Sequence, residues 1–379
     1  MLTANYLDNV APDVEDLYRR FETQILKDMS KRVANANYNI SSTVEWQINQ
    51  SQEMGIIYEN MIKRIAEINS ISEKKVATAF NKAGVTALRY DDAIYSAVGL
   101  EPLPIKQSPS MLQILNAGVV KNNNNLKNLT MTTMNTGKEL YQRATDLAYT
   151  QISSGAYTYQ EAIKHAVGGM ANEGLTAIEY ATGSRINLTS AVRRSLLTGV
   201  NQTAGKMQEG RAEEMGSNLV ETTAHQGSRP SHALWQGKVF SRLGGDAKYP
   251  NFVENTNYGS VEGLCGANCR HNFFPFFEGL SEEAYSKKEV DDYNNQEVSY
   301  TDANGKRTEM TYYEATQRLR SIEGNVRKYK LKSGMFEEAG IENSFEMGKI
   351  NKWQGTARDF VKQTGVKRDY FREKVLMGK

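Results

Sequence analysis

Pro12-Asp-Val-Glu-Asp-Leu-Tyr-Arg-Arg-Phe-Glu-Thr-Gln-Ile-Leu-Lys-Asp-Met-Ser-Lys-Arg-Val33 places apolar side chains at Val14, Leu17, Phe21, Ile25, Leu26, Met29 and Val33. Steps of three and four keep one helix face apolar over about five turns, and Pro12 and Asp13 suit the first turn. The same periodicity extends through the first hundred residues. Ser70 and Glu73 have capping-box spacing ahead of Val76, Phe80, Val85 and Leu88, which predicts a helix start there. Gly99, Pro102, Pro104 and Pro109 end the region.

Beyond it, a short helix is expected at Met111–Val119, and Asn122–Asn125 with the Thr/Asn-rich stretch to Gly137 reads as a loop or hinge. A second helical block follows to Gly216, with Gly199, Gly205 and Gly210 predicting a broken helix or close packing. From Ser217 the composition changes. Leu219–Thr223 and Lys238–Phe240 read as short strands, and glycines and prolines punctuate the chain to Gly279. The remainder is charged and reads as helical. The segmentation is therefore a helical region 1–100, a linker 101–137, a helical block 138–216, a small α+β domain 217–280 and a charged helical extension 281–379. The fold class is α+β, predominantly helical.

Composition narrows the function classes. The 379 residues carry 46 Lys and Arg against 44 Asp and Glu, so no whole-chain field draws the protein to nucleic acid or a membrane. No apolar run is long enough for a membrane span. Two cysteines make no disulfide scaffold, which points to a reducing cytoplasm during synthesis. No phosphate-binding loop, dinucleotide fingerprint, nucleophile elbow or zinc-protease helix is present.

The sharpest local feature is chemical. Of four histidines and two cysteines, His225, His232, Cys265, Cys269 and His271 fall within 47 residues. Cys265-Gly-Ala-Asn-Cys269-Arg-His271, with His232 or His225 as a fourth ligand, meets the donor requirement of a structural zinc site. Reduced cysteines packed as small hydrophobes, a local disulfide and a reactive thiol are the competing readings. In Arg229-Pro-Ser-His-Ala-Leu-Trp-Gln-Gly237, Arg229 offers a planar fork, Trp235 a core anchor and Gly237 a turn. That string also reads as a corner in which Arg229 and His232 satisfy buried carbonyls.

Basic residues cluster in three places: Arg193 and Arg194; Arg327 and Lys328; and Lys367 and Arg368, within a stretch from Asn351 holding eight basic and three acidic residues. Each cluster reads either as a solvated helix face or as a contact to DNA phosphates or an acidic partner.

His225-Gln-Gly-Ser-Arg-Pro-Ser-His-Ala-Leu-Trp-Gln-Gly237 followed by Gly263-Leu-Cys-Gly-Ala-Asn-Cys-Arg-His-Asn-Phe-Phe-Pro275 closely resembles the phage minor capsid protein 2 family, which is related to MuF-type head-morphogenesis proteins. Ala191-Val-Arg-Arg-Ser-Leu-Leu-Thr-Gly-Val-Asn-Gln-Thr203 and Tyr313-Glu-Ala-Thr-Gln-Arg-Leu-Arg320 are similar to it as well. Where this chain has Cys265–His271, MuF-type proteins carry an H-P-N-C-R-C-like string, and ligand-type residues in both favour metal; Asn268 and Arg270 beside the aromatic run Phe273–Phe277 read as a packed corner.

The resemblance implies a MuF-like core domain in a virion component assembled in the bacterial cytoplasm. It implies docking to portal or major capsid protein through the N-terminal helices, several copies per assembly, proximity to packaged double-stranded DNA, no membrane partner and no catalysis. A virion-delivered enzyme or effector and a DNA-binding accessory protein are the alternatives. On this segmentation, removing residues 1–100 abolishes docking and leaves the rest folded.

Overall fold

The protein is described from a computed structural model that covers residues 1–375 apart from Ala11 and Ser41. Its first half is a helical scaffold: α1 (Ala4–Asp8), α2 (Pro12–Asn35), α3 (Thr43–Ala97), α4 (Pro109–Ser153) and α5 (Tyr159–Glu173). A short antiparallel hairpin, β1 (Thr176–Glu179) with β2 (Arg185–Asn187), then leads into α6 (Leu188–Glu214). The stripe read from the opening stretch is the buried face of α2, with Val14, Phe21, Ile25, Leu26, Met29 and Val33 all closed off and Leu17 half-buried.

Two local expectations give way to tertiary burial. No helix starts at Ser70: α3 begins behind the Ser42 cap and runs for 55 residues, because Ile65 and Val76 continue one buried face across the supposed boundary. The Asn122–Gly137 stretch is no hinge but the middle of the 45-residue α4. Several of its polar groups bond in place. Asn122 donates to the Ser195 carbonyl at 2.9 Å, and the Thr130 and Thr133 hydroxyls bond back to carbonyls one turn earlier, while Leu115, Leu126 and Met134 supply the apolar face.

Nor do the glycines break α6. They let it pack closely: a Cβ on Gly118 of α4 would sit 2.2 Å from Thr203 Oγ1, and one on Gly199 would sit 2.7 Å from Asn122 Nδ2. Gly118→Leu is therefore expected to cost about 1–3 kcal/mol by overpacking the α4–α6 crossing, seen as a lower urea midpoint at unchanged slope.

The second half begins with a three-stranded antiparallel sheet in the order β4-β3-β5. Its elements in chain order are β3 (Leu219–Thr222), the one-turn α7 (Pro230–Ala233), β4 (Val239–Ser241), α8 (Phe252–Thr256) and β5 (Phe273–Phe276). Both strands expected here are present. The third, β5, lies in the aromatic run that reads as a packed corner; Pro275 is tolerated because β5 is an edge strand opposite Val220. Val220, Trp235, Phe240, Phe252, Leu264, Cys265, Cys269 and Phe273 form a separate small core.

The C-terminal part comprises α9 (Lys287–Asn295), a hairpin of β6 (Glu297–Thr301) and β7 (Arg307–Thr311), α10 (Tyr312–Glu338) and α11 (Ser344–Thr364). The hairpin departs from the helical reading of 281–379. Its turn is built by Asp302, whose carboxylate accepts from Asn304 and Lys306, and by Gly305 at φ +81.

Leu331, Met335 and Phe336 of α10 join the main core, which already draws on α2 through α6. Residues 1–100 are thus not a detachable arm. They share one apolar interior with 109–214, which predicts that the rest does not fold without them.

Candidate functional site

The loop between α8 and β5 and the short α7 bring the chemistry together. Pro230 opens α7 at its first turn and puts His232 on the face next to Trp235. Gly237 then turns the chain at φ +64, where a Cβ would meet Val290 at 2.6 Å. Opposite, Cys265 and Asn268 hold left-handed conformations that fold the loop back on itself. Asn201 of α6 fastens that loop by donating to the carbonyls of Cys269 (3.1 Å) and His271 (2.9 Å).

His232, Cys269 and His271 meet in this enclosure, exposed by only 2%, 2% and 1%. Their donor atoms all lie within 4.8 Å of one another. His232 Nδ1 is 3.3 Å from His271 Nδ1, and Cys269 Sγ is 3.7 and 3.8 Å from the two nitrogens.

The surrounding hydrogen bonds fix the tautomers. His232 Nε2 lies 2.8 Å from the Glu262 carbonyl, which can only accept. His271 Nε2 lies 2.9 Å from Gln236 Oε1, an oxygen that already accepts from the His225 N–H while the Gln236 amide nitrogen donates to Asn294. Both imidazoles therefore carry their single proton on Nε2 and turn Nδ1 lone pairs toward each other. Burial opposes relief by protonation, pushing the His232 imidazole down to about 4 and His271 well below its ordinary value. Burial also raises the Cys269 thiol. Two facing lone pairs and a thiol in a closed space form a donor set that a metal ion can join, with the outer nitrogens already held by carbonyl oxygens.

The five residues expected as ligands divide. His232, Cys269 and His271 converge. Cys265 does not join them: its Sγ faces Gly205 of α6 in the small core beside Tyr258 and Phe273. His225 lies face-on to the His271 ring, centroids 4.2 Å apart, with its own Nδ1 on the Gln226 carbonyl. Both thiols are free. Arg229 donates to the Ala267 carbonyl at 2.9 Å, and Arg270 pairs with Asp8 at 2.7 Å.

Sequence reading passed over Asn201 and Gln236, although each stands inside a quoted string. A buried amide gives no periodic signal, and its role appears only with its partners.

The basic residues expected to meet DNA or a partner are largely engaged within the chain. Arg193 pairs with Asp369 at 3.0 Å, Arg327 with Glu22 at 2.6 Å, and Arg368 with the buried Glu373. Arg194 bonds the Tyr180 hydroxyl. Lys328 and Lys367 are exposed.

The profile of the family described as phage minor capsid protein 2 matches residues 2–362. The chain belongs to that family. A curated relative, a structural protein of Lactococcus phage LL-H, is 24% identical over 345 residues, covering 87% of this chain and 88% of the relative. No solved structure matches the chain. Among the described residues, no helix of this family member is long and apolar enough to cross a membrane.

Stability of the cluster should depend on pH with a defined sign. An imidazole whose folded value is depressed contributes stability that is complete above its unfolded value near 6.5 and is lost as pH falls through the folded value. For His232 that window runs from about 6.5 down to about 4. The urea midpoint of the metal-free protein is expected to fall across it, and His232→Gln is expected to flatten the fall.

Proposed function

We propose that the protein is a minor structural component of a tailed-phage head that joins portal or major capsid subunits in several copies, without a catalytic step of its own. The family match along nearly the whole chain carries this reading, and the structural-protein description of the Lactococcus phage relative supports it. The scaffold suits such docking: Ile48, Ile56, Ile62 and Ile71 stand exposed along α3, and Val120 and Met131 along α4. The raised, buried thiols argue against a cysteine nucleophile.

A zinc ion on His232, Cys269 and His271 would cross-link α7 to the loop before β5 and brace a domain with a small core. Zn–N bonds of about 2.0–2.1 Å and a Zn–S bond of about 2.3 Å at tetrahedral angles set edges of about 3.3 Å between nitrogens and about 3.6 Å between nitrogen and sulfur. The separations of 3.3, 3.7 and 3.8 Å suit those edges.

Purified virions test the main reading. Quantitative mass spectrometry should find the chain in fixed ratio to the portal, and cross-links should run from α3 or α4 to portal or capsid subunits. A chain absent from particles, or one that turns over a substrate, contradicts it.

A further inference from the structure

The cluster borders a larger feature. A cavity of about 580 Å³ opens where α2, α6, α10, the loops around Gly227 and Asn268, and the segment at Phe371–Arg372 meet. Nine arginines and lysines line it against three glutamates and no aspartate. We propose that this cavity binds a compact, multiply charged phosphate ligand of nucleotide size, held by Arg194, Arg229, Arg320 and Lys328.

The bland alternative is an ion-pair network that only joins segments of the chain, and part of the lining does that. Arg19, Arg193, Arg270, Arg327 and Arg372 each reach a carboxylate, those of Glu22 and Asp8 among them. The four cations named in the proposal have no carboxylate partner among the described residues. Arg229 meets a carbonyl, Arg320 the Gln317 amide oxygen at 3.3 Å and Arg194 a tyrosine hydroxyl, all neutral groups. They come from α6, the loop before α7 and α10, yet line one space. Unneutralised cations lining one space repel one another, and an anion between them removes that cost.

Two further observations agree. Burial and then the neighbouring Arg270 and Arg372 bring the Arg320 guanidinium down to about 10, so the positive charge is already dense there. Asn187, Thr189 and Ser190 also line the cavity, placing the positive end of the 27-residue α6 against it. Guanidinium forks match phosphate oxygens in pairs, which favours phosphate over a single carboxylate. The volume lies in the usual small-ligand range of about 300–1,000 Å³. It admits a nucleotide, a short polyphosphate or the unpaired end of a nucleic acid, and excludes a duplex. The proposal rests neither on the metal nor on the virion role.

Calorimetric titration of the full chain with inorganic tripolyphosphate, ATP, and an oligonucleotide with and without a 5′-phosphate tests it. The two polyphosphates are added as magnesium complexes so that they do not strip a metal from the cluster. One saturable site per chain is expected, weakened at least tenfold in Arg320→Gln and in Arg194→Gln and unchanged in Lys367→Gln, an exposed position outside the cavity. Tighter binding of ATP than of tripolyphosphate identifies a nucleotide, and dependence on the 5′-phosphate identifies a nucleic-acid end; both support the site.

Should the arginine variants misfold, phenylglyoxal labelling of the wild-type chain replaces them, with tripolyphosphate expected to protect Arg194 and Arg320. No saturable binding at low salt, binding indifferent to both substitutions, or absence of protection overturns the proposal.

Discussion

A chain beginning at residue 101 is expected to lose cooperative folding rather than to persist as a shorter domain. Tyr18, Phe21, Ile25, Leu26, Met29 and Val33 of α2, with Phe80 and Leu88 of α3, pack in the same core as Leu115 and Leu126 of α4 and Leu196, Val200 and Met207 of α6. Each such side chain contributes about 1.5–3 kcal/mol when fully buried. Losing eight of them removes about 12–24 kcal/mol of burial, as large as or larger than the roughly 5–15 kcal/mol by which a folded protein is stable. Near-ultraviolet circular dichroism should lose its fine structure and a hydrophobic dye should bind. A truncated chain that unfolds in one sharp transition would show that the scaffold divides after all. Docking to a portal must therefore be probed by surface substitutions on α3, such as Ile56→Glu, and not by deletion.

Substitution within the cluster is the second large effect. His271→Ala removes a fully buried ring that packs on His225, His232 and Trp235 and leaves Gln236 Oε1 without its imidazole donor. Removing a buried aromatic of this kind costs about 3–5 kcal/mol; any bound metal adds its own linkage on top. The two cysteines separate packing from ligation. Cys269→Ser is expected to abolish metal binding, whereas Cys265→Ser alters packing against α6 and weak contacts to the His271 carbonyl and Asn272 and keeps it. Metal content of the two variants by elemental analysis reads the difference directly; equal loss in both would place Cys265 in the donor set.

How much was legible before the structure follows from the kind of signal each element carries. The α2 stripe is local and periodic, so six of its seven positions are buried and the seventh, Leu17, is half-buried. The nature of the surface it meets is not local, and the core shared with α4 and α6 was invisible for that reason. Asn122–Asn125 and the threonines after it have turn-like composition, yet the buried asparagine and the back-bonded hydroxyls make them helical once α6 lies alongside.

Cys269, His271 and His232 were findable because residues of ligand type are scarce in this chain and cluster in sequence. Which cysteine faces the histidines depends on the left-handed turns at Cys265 and Asn268, and residue spacing alone does not determine them. For the basic clusters, charge counts register Arg193, Arg327 and Arg368 but not the Asp369, Glu22 and Glu373 that pair with them.

Zinc-edge X-ray absorption on the 379-residue chain, purified without chelators and quantified for metal, decides whether the His232–Cys269–His271 cluster holds an ion. One zinc per chain is expected, with two imidazole nitrogens and a single sulfur in its nearest shell. A metal-free chain in which the folded-state Cys269 thiol reacts freely, or a shell containing two sulfurs, would contradict it.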